Sequence, residues 1–246
     1  MAASVPPKSP QKCVAVMQPY FFPYAGYFRL FAAADLFIIF DCVQFPRRGR
    51  VHRTEVPGSN GAAEWLTLPL MHHPRDVQIR DLAFSPDSRD LFEQRLSKFQ
   101  WVRDVRTPAA KRIQDFLAQP IGPVIDYLEA SLRLVIETLG FHTPIIRSSV
   151  LDIDPSLRGQ ERVIAAAASV GATRYVNLSG GRALYDGGAF AEKGIELTFL
   201  TPYAGQFFHL LPALMTTPAL DIRRDVDATT QILKGTDLPI DAGELE

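Results

Sequence analysis

The sequence predicts an α/β fold built on a mainly parallel, doubly wound sheet that carries a β appendage and a helical insertion. Three observations predict it. Short uninterrupted apolar runs, CVAVM at Cys13–Met17 and LFIIF at 36–40, have the pattern of strands buried on both faces. Segments of helical composition alternate with such runs through most of the chain. Strand, helix and strand in series at the start point to a right-handed βαβ unit, although the connection is short for a crossover.

Taken in order, residues 1–11 are rich in Ser, Pro and Lys, offer little to bury, and are expected to be a disordered leader. The helix expected over 27–34 follows Gly26, whose freedom loosens the entry. Residues 55–60 (EVPGSN) mark a turn, and two short strands over 65–70 and 77–84 form the appendage. The helical insertion spans about 88–140. Its helices are expected over 90–102 after a Ser88 cap, over 108–118 with Pro108 in the first turn after Thr107, and over 123–139 up to Gly140. Alternation then resumes: strand 145–150, helix 160–170 ending at Gly171, strand 174–178, loop 179–185, helix 189–193 and strand Glu196–Leu200. After a short segment at 210–215 the pattern weakens. A single domain is expected over 12–221, with a C-terminal tail over 222–246.

A chain of 246 residues can bury a sizeable core, and 26 basic against 27 acidic residues leave a net charge of -1. That balance provides no global field of the kind that marks nucleic-acid binders, so any anion site must be local and no sequence-specific nucleic-acid partner is expected. No run approaches the roughly 18 to 20 apolar residues of a membrane span, and the N-terminus has no apolar signal core. A soluble, cytoplasmic protein is expected, with Cys13 and Cys42 as free thiols. His72 and His73 have no partner at metal-ligand spacing, so no metal is implied.

Polar groups gather where the first two strands run out, which is where open α/β sheets place their binding crevice. After the first strand, Gln18 offers a donor and an acceptor, and the loop to Gly26 sets Tyr20, Phe21, Phe22 and Tyr24 among two prolines, Pro19 and Pro23. Such a loop is either a stiff wall on which a flat or sugar-like ligand stacks, or a plug for the sheet end. After the second strand come Asp41, Cys42 and Gln44, then Arg47, Arg48, Arg50, His52 and Arg53. Acid, thiol, amide, imidazole and guanidinium within a dozen residues suit acyl transfer. The expected mechanism is general-base activation of the amine by Asp41 or His52, with Gln18, Gln44 and Ser179 holding the acyl carbonyl. The variant is covalent, with Cys42 as nucleophile, His52 as base and Asp41 orienting it. Strand neighbours point to opposite faces, so Asp41 and Cys42 share one site only if the strand has ended before them. The alternatives are a buried apolar thiol for Cys42 and a structural carboxylate paired to Arg48 or Arg53 for Asp41. An arginine pair also holds a phosphate or carboxylate by bidentate bonds, which makes Arg48 and Arg53 candidate substrate-binding residues. Ser179, Gly180 and Tyr185, in a glycine-bearing loop after a later strand, complete the candidate crevice.

The blocks QPYFFPYAGYF at 18–28, DLFIIFDCVQF at 35–45 and Arg53 resemble the WbqC-like family, found among genes for bacterial surface polysaccharide assembly. WLTLPL at 65–70, Ser148 and Ser149, SGGRALYD at 179–186 and GIELTF at 194–199 are similar to the same pattern, so the resemblance covers roughly 12–221. It implies a transferase that moves an aminoacyl (glycyl-like) or acyl group onto an amine or amino sugar, in surface-polysaccharide or specialised-metabolite biosynthesis. The implied donor is an activated acyl group on an acyl-carrier protein, CoA or an aminoacyl-tRNA, or one activated by ATP. Members often carry a second acid after the Asp at 41 and an Asn before the Arg at 53, where this chain has Cys42 and His52. A weaker likeness, to the start of pantothenate synthetase and related nucleotidyl-transfer folds, would put ATP at the loop after the first strand, but their His-x-Gly-His signature is missing. The competing expectations are therefore a nucleotide-dependent ligase or nucleotidyltransferase, and a non-catalytic sugar-binding or scaffold protein.

Overall fold

The computed structural model describes residues 11–119 and 122–234. The first apolar runs form β1 (Cys13–Met17) and β2 (Leu36–Ile39), joined by α1 (Ala25–Ala33). They pair in parallel with Val14 opposite Leu36 and Met17 opposite Ile39. Strands buried on both faces split their side chains between two cores: Cys13, Ala15, Phe37 and Ile39 face one, Val14, Val16, Leu36 and Ile38 the other. Further along come α2 (Ser88–Leu96), α3 (Pro108–Leu117), α4 (Val124–Leu139), β5 (Ile145–Arg147), α5 (Gly159–Ser169), β6 (Arg174–Asn177), α6 (Gly187–Ala191) and β7 (Glu196–Leu200). The described residues end with α7 (Leu210–Thr216), α8 (Ala219–Thr229) and β8 (Ile232–Lys234), while β3 (Arg53–Pro57) and β4 (Ala63–Thr67) form a separate hairpin.

The six-stranded sheet runs β5-β2-β1-β6-β7-β8, parallel except for β8. From β1 the chain winds outward through β2 to β5, with α1 and α4 on one face; it then returns past β1 to β6 and β7, with α5 and α6 on the other. Right-handed crossovers require that change of face when the winding direction reverses. The sheet is therefore doubly wound, as the sequence predicts, and its switch point lies between β1 and β6.

Several local expectations are corrected. The appendage exists, but the partner of β4 is β3, which runs into the stretch expected to be a turn; the turn falls at 58–62. Residues 77–84 are not a strand: they touch the rest through isolated bridges, Gln44 with Gln78 and Leu70 with Phe84, around a 3-10 turn at Ile79–Asp81. The helix expected over 90–102 stops at Leu96, and a 3-10 turn takes Gln100–Arg103. Thr107 does cap α3, accepting from the Ala110 amide, and Gly140 ends α4 with φ of 71°. Gly26 serves close packing rather than a loose entry, since a Cβ there would lie 2.2 Å from the Tyr24 ring and 2.7 Å from Tyr203. The leader, apart from Gln11, and residues 235–246 lie outside the described residues. The chain from 222 does not begin as a tail, because α8 buries Ile222 and Val226 and β8 pairs with β7. Among the described residues, no helix is long and apolar enough to cross a membrane.

One buried charge ties the two ends together. Arg29 of α1, 1 % exposed, donates to Gly26 O at 3.2 Å, Thr201 O at 2.8 Å and Thr229 O at 2.8 Å, and lies over the Tyr203 ring. Carbonyls at the C-terminus of α8 are suitable partners for a cation.

Candidate functional site

The candidate residues fall into two groups at the carboxyl ends of the strands. The first straddles the switch point, after β1 and β6. Gln18 is half-buried and its side-chain amide makes no hydrogen bond to a described residue; only its backbone carbonyl is used, accepting from Tyr27 Oη at 2.7 Å. Tyr20 packs on Tyr27 with ring centroids 5.4 Å apart. Burial pushes its phenol above the ordinary value, while Arg50 pulls it down and Tyr185 adds to the rise, so both residues stand close by. Tyr185, across the switch point, is held by Tyr175 and Asn177 and packs edge-on to Tyr175 and Phe190. Ser179 and Gly180 open the 3-10 turn Ser179–Leu184 that delivers it.

The aromatic loop divides between its two expected roles. Phe21 and Phe22 are fully buried plugs, and Tyr24 stacks on Phe208 with rings 7° apart. Tyr20 alone of the four stands at the crevice beside Arg50 and Tyr185. Phe22 has φ of 40° and is held by Thr54 Oγ1 donating to its carbonyl at 2.7 Å, while the Phe21 amide donates to Arg50 O at 3.1 Å. An αL-side backbone on a buried aromatic costs roughly 1–3 kcal/mol and persists because these neighbours fix it.

The second group lies after β2 and β5. β2 has ended at Ile39, so strand alternation no longer separates Asp41 from Cys42, and both turn to Ser148. Asp41, 1 % exposed, accepts from Ser148 Oγ at 2.8 Å, Ser149 N at 2.9 Å and Ser149 Oγ at 2.5 Å. Its partners are thus the serine pair at the end of β5, not Arg48 or Arg53. Cys42 Sγ lies 3.0 Å from Ser148 Oγ and accepts from Arg162 Nη2 at 2.9 Å and Nε at 3.3 Å. Ser148 has one proton and gives it to Asp41, which leaves its oxygen free to accept from a thiol at Cys42. A directed chain results, from the thiol through Ser148 to the carboxylate, with a guanidinium against the sulfur. Arg162, on α5 and 8 % exposed, was not singled out from the sequence, and Ser148 and Ser149 entered only through the family pattern.

The remaining candidates are placed elsewhere. His52 stands edge-on to Phe45 at 5.0 Å; its Nδ1 is buried with no hydrogen-bond partner among the described residues, and no hydrogen bond joins the ring to Cys42 or Asp41. Burial first, then Arg53 and Arg95, push its imidazole down to about 4, so it is uncharged at neutral pH and a weak base there. Gln44 donates to Arg75 O at 2.8 Å. Arg53 lies 4.1 Å over the Trp65 ring and donates to Gly49 O at 3.1 Å and to Arg48 O; the Arg48 side chain is exposed. A separate cleft between α2 and α3, about 420 Å³ and lined by Leu96, Phe99, Val102 and Leu117 among others, contains none of the candidates.

Fold and site together define a doubly wound α/β protein with Gln18, Tyr20 and Tyr185 at the strand ends flanking its switch point and a buried cysteine–serine–carboxylate cluster after β2 and β5. The chain belongs to the WbqC-like protein family, whose profile matches residues 18–209. It is similar to the uncharacterised protein Rv1507c of Mycobacterium tuberculosis (strain ATCC 25618 / H37Rv), with 28% identity over 201 residues covering 76% of this chain and 81% of that protein. No solved structure matches it.

Proposed function

We propose that the protein is an amide-forming transferase that passes an acyl or aminoacyl group from an activated donor to an amine by way of Cys42. The observation that carries this reading is the chain from Cys42 Sγ to Ser148 Oγ at 3.0 Å and on to Asp41 Oδ1 at 2.8 Å, with Arg162 donating twice to the sulfur. It has the parts of an activated nucleophile: an attacking atom, a proton path and an oriented acid. In the first half-reaction Sγ forms a bond to the donor's acyl carbon and the bond to the leaving group breaks. The thiol proton moves to Ser148 as the serine proton moves to Asp41, and it returns along the same path to the leaving group. In the second half-reaction the amine nitrogen attacks the thioester, the C–S bond breaks, and a proton from the amine restores the thiol. In this reading the unengaged amide of Gln18 bonds the substrate carbonyl or amine, and Tyr20 and Tyr185 supply the walls.

The test is acyl loading without acceptor. Incubation with a glycyl thioester of N-acetylcysteamine should add one glycyl group to Cys42, read by intact mass and peptide mapping. Cys42→Ala should abolish the adduct, and Ser148→Ala should slow its formation. Amide formation that continues undiminished in Cys42→Ala would overturn the covalent route. The crevice position at the switch point also suits a nucleotide; a thermal shift on ATP addition, with no acyl adduct, would favour a nucleotide-dependent ligase. Sugar binding with neither adduct nor turnover would favour a scaffold.

A further inference from the structure

Two loops meet beside the exit of β2. Residues 44–53 carry Arg47, Arg48, Arg50 and Arg53 with no acid among them, and residues 71–81 add Arg75 and Arg80 against Asp76 and Asp81; at the edges Arg50 pairs with Glu55 and Arg80 with Asp81, each at 3.8 Å. Arg47 Nη2 donates to His73 O at 2.6 Å, Gln44 Nε2 to Arg75 O at 2.8 Å, and Gln44 bridges Gln78, so the loops form one surface. The Arg80 amide donates to Asp41 O at 3.0 Å, which sets that surface directly against the reactive segment. A chain of net charge -1 thus concentrates six arginines at the rim of its candidate site.

These guanidinium groups are only partly engaged inside the protein. Arg47, Arg48, Arg75 and Arg80 are exposed, and the side chains of Arg48 and Arg75 have no partner among the described residues. Arg50 and Arg53 lie 5.1 Å and 4.1 Å over the Trp65 ring, and Trp65 and Met71 on the same surface are 40 % and 48 % exposed. A solvated basic loop has no use for an exposed Trp and Met. A protein interface does, since aromatic, Met and Arg side chains form its buried centre.

We propose that this surface docks an acidic acyl-carrier protein, which presents the donor thioester to Cys42. The inference rests on the transferase reading above. Charge complementarity selects the partner: opposite charge at the rim speeds encounter and fixes register, and an acidic protein supplies a compact negative face that matches a compact basic one. A donor borne on RNA would present a long phosphate track, for which a chain of net charge -1 offers no extended field.

The experiment compares two donors on the full chain: a holo acyl-carrier protein loaded with glycine, and glycyl N-acetylcysteamine thioester. Loading of Cys42 from the carrier should be the faster, should fall as salt is raised, and should drop about tenfold in Arg75→Glu/Arg80→Glu, as expected when opposed rim charges are reversed. Loading from the small thioester should be unchanged in that variant. Equal loss with both donors, or no salt dependence, overturns the docking proposal, as does inhibition by bulk transfer RNA without inhibition by the unloaded carrier. The two readings fail separately. Carrier binding measured by fluorescence anisotropy that depends on Arg75 and Arg80, without acylation from either donor, leaves the docking surface and sinks the transferase. Small-thioester loading with no carrier binding does the reverse.

Discussion

Removing Cys42 and Arg162 together should cost less than the sum of the two single losses. In the folded protein Arg162 is 8 % exposed and gives two N–H groups to Sγ, with a third bond to Asp154 O at 3.2 Å. Cys42→Ala leaves those two charged donors buried without an acceptor, and an unsatisfied buried donor costs about 1–3 kcal/mol, the upper end applying to charged groups. Loss of the small apolar thiol adds roughly 1 kcal/mol. Arg162→Met alone forfeits its hydrogen bonds at about 1–2 kcal/mol but leaves only a sulfur, which tolerates an apolar neighbour. The double variant removes donor and acceptor at once, so its loss should fall short of the sum by about 1–3 kcal/mol. Urea unfolding of the four proteins measures that coupling directly. Additivity within about 0.5 kcal/mol, with unchanged slopes, would mean that the guanidinium does not bond the sulfur in solution.

Three further outcomes are expected. The His52 ring titrates near 6.5 when unfolded and near 4 when folded, so the unfolded state holds the extra proton between those values. Its contribution to stability is complete above 6.5, declines as pH falls to about 4 and is then level; His52→Phe should flatten that part of the pH profile of urea midpoints, and identical profiles would contradict the buried, neutral ring. Gly26→Ala should gain up to ~1 kcal/mol of helix propensity but lose more to the clash with Tyr24 and Tyr203, for a net loss of about 1–3 kcal/mol; a raised melting temperature would show that the rings have room. Thr107→Ala removes the bond to the Ala110 amide and should cost about 1 kcal/mol, or about 2–4 °C in melting temperature for a chain of this size. No change would mean that α3 needs no cap.

The parallel sheet was legible because strands buried on both faces leave a local mark, an unbroken apolar run, and β1 and β7 have the expected bounds. Caps with one chemical cause, Thr107 and Gly140, were legible for the same reason. The hairpin partner of β4 was not, because RTEVP is half polar and shares its end with turn residues. α8 was missed since its buried face is only Ile222 and Val226 in an otherwise polar helix. At the site, residues next to each other in sequence were easy to nominate: Asp41 and Cys42 do act on one neighbour. The rest of the cluster is assembled from 106 and 120 residues away, by Ser148 and Arg162. A serine after a short strand and an arginine in the first turn of a helix have no local signature of their role. His52, by contrast, looked like a base from its position near Cys42, and burial is what removed that property.

The clamp around Arg29 sets a constraint on the order in which the chain can be completed. Its acceptors on Thr201 and Thr229 lie 172 and 200 residues downstream, so the guanidinium inside α1 is without these partners until those segments have been made. The opening strand–helix–strand unit is therefore no independent nucleus that waits for decoration. Synthesis delivers the reactive loop early, and α8, made about 180 residues later, contributes a carbonyl that holds the helix beside it.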